Sequence, residues 1–176
     1  MMTFRFAKCA VAVGAIGLAA VLPSNVQADS TTATAGAVVA VAIGIAKTVD
    51  MSFGTIGAGG SAGTVVLATD GSRTTTGGTS ILSGSPGAAA SFNVTGEGTN
   101  TYSITLPSAA VTLTGPGSPA TDMDATAFLS LPLTTGTLTA GAQTLLVGAT
   151  LAVANSGTQT PGTYTSATFT VTVNYN

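Results

Sequence analysis

The chain has 176 residues, of which 6% are charged, with four basic residues against six acidic ones and no histidine or tryptophan. So few Lys and Arg cannot neutralise a phosphate backbone, which excludes nucleic-acid binding. Without histidine, and with Cys9 as the one cysteine, Ser-His-Asp and Cys-His catalysis are excluded, as are zinc and haem sites built on those ligands.

Residues 1–8 carry Arg5 and Lys8 and no acid, residues 9–22 are apolar or small, and Pro23, Ser24 and Asn25 end the run. Val26, Gln27 and Ala28 offer the small residues a signal peptidase reads. The expectation is a secretory signal over 1–28, cleaved before Asp29. The run is too short for the roughly 20 residues of a membrane span, so no transmembrane anchor is expected after cleavage. Cys9 would leave with the signal, and Lys47 and Arg73 would then face six acids, a net charge of −4. About 148 residues remain (176 minus 28), which suits one domain.

Residues 33–53 are strand-like with odd apolar parity: Val39, Val41, Ile43, Ile45, Val49, Met51 and Phe53. The stretch exceeds one ordinary strand of about 5–6 residues. It is therefore divided into an N-terminal extension over 29–42 and a body over 43–176 whose first strand lies near 43–53. In the extension Ala33, Ala35, Ala37, Val39 and Val41 share one parity. Alternation cannot say whose sheet a strand joins, so two readings stand: a strand donated to a neighbour, or an ordinary first strand with a free tail.

Further strands are expected at 64–69, 72–76, 80–82, 89–95, 101–106, 111–113, 123–131, 143–147 and 150–153. Asp70-Gly71 marks a hairpin between the first two of these. Gly96, Glu97 and Gly98 separate the strands at 89–95 and 101–106, and the Gly/Pro-rich 115–119 cannot lie within a central strand. The last strand, 163–174, alternates most cleanly. Phe169, Val171, Val173 and Tyr175 fall on the apolar parity with Ala167, while Thr168, Thr170, Thr172 and Asn174 fall on the other. Phe169, Val171, Val173 and Tyr175 are assigned to the core or its groove. Short antiparallel strands without a persuasive helix predict an all-β, immunoglobulin-like antiparallel sandwich.

Candidate chemistry is sparse. Asp122 and Asp124 share a face if extended and could serve calcium or glycoside cleavage, but the closing glutamate of a calcium loop and an aromatic sugar platform are missing. The glycines of 57–63 precede a β-forming run rather than the helix a phosphate-cradling turn requires. No catalytic, cofactor-binding or metal-ligating residue is assigned, and no enzyme activity is expected.

Five stretches occur in an order that resembles a known family: Met51-Ser52-Phe53-Gly54-Thr55-Ile56, Gly63-Thr64-Val65, Ala90-Ser91-Phe92-Asn93-Val94-Thr95-Gly96, Leu146-Val147-Gly148-Ala149-Thr150-Leu151, and Gly162-Thr163-Tyr164 with Val171-Thr172-Val173-Asn174-Tyr175. The chain is similar, from about residue 37 on, to the bacterial "domain of unknown function 4402" family. That family is in turn similar to spore-coat-U-type and other chaperone–usher pilins, whose frequent disulfide this chain lacks.

The resemblance implies a pilin-like sandwich missing one strand, its groove filled by the extension of the next subunit. It implies copies of the same chain as partners, a periplasmic chaperone and an outer-membrane usher, and passage through the periplasm to the cell surface. The expected function is a secreted structural subunit of a surface filament, pilus or coat. The alternative is a self-complete secreted sandwich that binds through its loops, for instance 77–87 and 115–120.

Overall fold

The computed structural model describes residues 28–166 and 168–176. The expected signal segment, apart from Ala28, and Ala167 of the last strand lie outside the described residues. The chain divides into two compact units, Met1–Ala37 and Val38–Asn176. In the first, the described residues 28–37 are exposed and have no regular structure.

The second unit is all-β, with no helix among its described residues. Its strands are β1 (Gly44–Val49), β2 (Ile56–Gly57), β3 (Gly63–Leu67), β4 (Arg73–Gly77), β5 (Ser80–Ile81), β6 (Ala90–Thr95) and β7 (Thr101–Thr105). β8 (Val111–Thr114), β9 (Met123–Leu131), β10 (Thr135–Thr137), β11 (Ala142–Val153), β12 (Thr165–Ser166) and β13 (Thr172–Tyr175) follow. The main sheet runs β1-β6-β11-β9-β8-β12, with β3 and β4 joined to it through β11. A second sheet runs β10-β7-β13, and β2 pairs β5.

β11 organises the unit. One edge pairs first with β6 over 142–147 and then with β3 over 149–153, while the other edge pairs with β9. Gly148 lies at the change of partner, where a Cβ would overlap the carbonyl of Leu67. Residues 143–153 therefore form one strand with a close approach in its middle, where the sequence suggested two strands. Alternation then sends Leu145 and Val147 into one apolar cluster and Ala149, Leu151 and Val153 into another. The first cluster adds Val94, Tyr102, Leu138, Val171 and Val173; the second adds Phe53, Val65, Leu67, Met123 and Ala125.

Asp70-Gly71 does turn the β3–β4 hairpin. Gly71 has φ +82°, and Asp70 Oδ1 accepts from the amide of Ser72. The Ser72 hydroxyl and then its amide hold the Asp70 carboxyl below the usual range. By contrast Gly96-Glu97-Gly98 is no hairpin. β6 belongs to the main sheet and β7 to the second, so the chain crosses between sheets there.

β10 is a strand the sequence did not signal. It leads into β11 through Ala140 (φ +50°) and Gly141 (φ +80°), with bonds in both directions between Thr139 and Ala142. Two positive φ values make a type I′ turn, in which Asn-Gly is the favoured pair.

β9 carries a bulge. Gly148 faces Leu129 but Thr150 faces Thr126, so Ala127 and Phe128 together oppose Ala149. Ala127 takes φ +47°, which costs an L-residue about 1–2 kcal/mol. The bulge reverses the strand's faces: Met123 and Ala125 are buried before it, Ser130 after it, and Leu129 and Leu131 face out.

The C-terminal alternation holds, but its pairing is split. β12 pairs β8 and β13 pairs β7, so residues 163–174 form two short strands in two sheets rather than one.

Candidate functional site

The main sheet curls until its first and last strands, β1 and β12, lie on either side of an open groove of about 670 Å³. Residues 47–56 form one wall and residues 162–166, 168 and 169 the other. The floor consists of inward side chains of the strands between: Phe92, Val111, Leu113, Met123, Phe128 and Leu151. Phe128 and the wall residue Phe169 are in contact, ring centroids 5.4 Å apart. Met51 and Phe128 touch both apolar clusters, so the groove opens where the two cores join.

The walls have backbone to spare. Ser52 exchanges both its backbone bonds with Ala88, at 2.8 Å each, and Thr55 bonds outward to Ser85 and Leu82. Successive residues of an extended segment turn their polar groups to opposite sides, so Met51 points its own toward the groove. Among the described residues, Met51 has no backbone partner, and neither do 168–170 on the opposite wall. Both rims of the apolar trough thus carry backbone groups without a backbone partner among the described residues.

Arg73 props the first wall. Its Nη1 donates to Phe53 O at 2.7 Å, and Gly54 and Gly87 lie so close to the side chain that a Cβ on either would overlap it. Nothing local in the chain signals this role, since a lone arginine opening a threonine-rich strand reads as a solvated charge. At the outer rim Lys47 and Asp50 form an exposed ion pair.

The extension's residues Ala33, Ala35, Ala37, Val39 and Val41 are all exposed, Val39 at 94% and Val41 at 61%. Val41 is tied at its backbone. The Tyr175 hydroxyl donates to Val41 O at 2.8 Å and accepts from Glu97 N at 2.6 Å, while Glu97 Oε2 accepts from Val41 N at 3.3 Å. One tyrosine thus clasps the root of the extension to the crossing loop at Gly96. Of the C-terminal residues, Val171 and Val173 are buried and Phe169 and Tyr175 half-buried, whereas Thr170 and Thr172 are exposed. Sequence reasoning placed Val41 and Tyr175 in separate roles, and the structure brings them together.

The acids do not form a centre. Asp124 Oδ1 accepts from Thr112 Oγ1, whereas Asp122 Oδ2 accepts from Ser118 Oγ. Among the described residues no three His, Cys, Asp or Glu side chains converge, and no helix is long and apolar enough to cross a membrane. Tyr102 is fully enclosed: burial pushes its phenol up, and its hydroxyl donates to Gln143 Oε1 at 2.7 Å.

Comparison with protein-family models matches residues 43–175 to a domain of unknown function (DUF4402). That span covers most of the chain and every strand of the second unit, so the chain belongs to this family. No curated protein and no solved structure matches it significantly.

Proposed function

We propose that this member of the DUF4402 family is an exported structural subunit of a bacterial surface filament, pilus or coat, which polymerises when residues 30–41 of one copy enter the groove of the next. The observation that carries the reading is the groove itself, with its apolar floor and unpaired backbone on both rims. An added strand gains backbone bonds from the walls and burial from the floor. Burial contributes about 0.8 kcal/mol per CH₂, so Val39 and Val41 supply most of the donor's apolar contribution and the alanines mainly allow close approach. In this reading the body is an immunoglobulin-like, pilin-like sandwich short of one strand. A periplasmic chaperone would shield the groove in transit, an outer-membrane usher would exchange it for the next extension, and no catalysis is involved.

The test removes residues 30–40 and returns them as a peptide. The shortened body should keep its β-sheet spectrum but form no polymer. A synthetic peptide of residues 30–43 should raise its melting temperature, because a ligand bound only by the folded state stabilises it by mass action. The same peptide with Val39→Asp and Val41→Asp should do nothing. A shortened body that is already fully stable and ignores the peptide would replace this reading with the self-complete binding module acting through its loops.

A further inference from the structure

The bulge in β9 has an outcome that the groove does not use. By continuing the strand's first parity, Leu129 and Leu131 would fall with Met123 and Ala125, facing the core. The extra residue instead turns them out, at 36% and 55% exposure, and Leu133 beyond them is 70% exposed. Leu146 of β11 lies directly across from Leu131 on the same outer face, since its neighbours Leu145 and Val147 point inward. An alanine held at φ +47° thus keeps Leu129, Leu131 and Leu133 exposed beside the half-buried Leu146, an arrangement that a monomer does not require.

The surroundings of this patch indicate what covers it. Ser91 and Asn93 of β6 and Thr144 and Thr150 of β11 flank it, all uncharged. The nearest charge along β9, Asp124, precedes the bulge. An anionic membrane or a charged protein finds no complementary charge here. A second copy meets the same hydroxyl- and amide-edged leucines with no like charges opposed, which matters for a chain whose acids outnumber its bases.

We propose that this outer face, centred on Leu131 and Leu146, pairs with the same face of a second copy about a twofold axis. The pairing is independent of strand donation. A few leucines are a small part of the roughly 800 Å² per partner of a standard interface, so the contact is weak and operates at high local concentration, as between neighbouring chains on a crowded surface.

The test uses the full chain carrying Cys9→Ser, with Val39→Asp and Val41→Asp to disable strand donation, in sedimentation experiments over a range of concentrations. Reversible dimers should form, and Leu131→Ser should weaken them at least about tenfold, roughly what losing one half-exposed leucine's burial brings. Because the side chain faces out, the melting temperature should stay unchanged. Leu131→Cys should give a disulfide dimer on mild oxidation, and Thr112→Cys on a different strand should not. A monomer at all concentrations, equal cross-linking of the two cysteine variants, or leucine-dependent binding to neutral lipid vesicles without self-association would each overturn the proposal.

Discussion

The two halves of the core are built from one strand and differ in what closes them. Leu145 and Val147 of β11 lie under the second sheet, where Tyr102 and Val94 have no exposure at all. Four residues past Val147, Leu151 is just as buried from its own side but forms part of the floor of the groove. The apolar parity is unbroken between them. Burial of an inner face and closure over it are thus separate achievements, the first set by alternation along a strand and the second by which distant segment lies across it. A charged side chain should distinguish the halves sharply.

The largest expected effect is Val171→Asp in the sealed half. An unpaired carboxylate there should cost several kcal/mol, enough to unfold a domain stable by about 5–15 kcal/mol. Thr170→Asp, one residue away and exposed, should leave the urea midpoint nearly unchanged. The matching change on the groove wall, Ser166→Asp, falls on an exposed residue opposite Leu113 of the floor. It should shift stability by no more than about 0.5 kcal/mol while abolishing capture of the 30–43 peptide. If Ser166→Asp unfolds the protein as readily as Val171→Asp, the groove is as closed as the rest and the contrast is lost.

Tyr102→Phe probes the polar seam of the sealed half and should cost about 1 kcal/mol through the lost bond to Gln143. It also carries a signature in pH. The phenol is raised in the folded protein, so above about pH 10 the unfolded chain releases a proton that the native state still holds. The unfolded state then binds fewer protons, and stability falls as pH rises. That alkaline decline should be shallower in the Phe variant. An identical pH profile would mean that Tyr102 ionises freely.

The smallest effect expected is a gain. Ala140→Asn should stabilise the turn between β10 and β11 by up to about 1 kcal/mol, because asparagine tolerates the positive φ that alanine resists. A loss of stability would show that the Ala140 methyl group packs against something in the sealed half.

Much of this was legible in the sequence for a physical reason: period two is local. β9 has the bounds expected for it, β4 lies within one residue of its own and β3 within two, and the faces of Phe169 through Val173 follow their parity. Pairing is not local. Gly96, Glu97 and Gly98 separate two strands that belong to different sheets, and at the crossing Gly96 is bonded to Gly141 and pressed against the Tyr175 ring, contacts made far along the chain. The bulge at Ala127 has no signature, since alanine is not a residue associated with positive φ. Nothing local signals the groove, because its walls, around Met51 and Phe169, come from segments more than a hundred residues apart. Arg73 was not foreseen at all.

The clasp at Tyr175 also bears on timing. The bond that fixes the root of the extension spans 134 residues of sequence. Closing so long a loop is entropically slow, and contacts of this range set the pace of β-rich folding. On a chain made from its N-terminus, the extension therefore emerges first but stays untethered at its root until synthesis has passed Tyr175. The fold itself thus acts as a clock, since the extension cannot take up its final direction before the rest of the body exists.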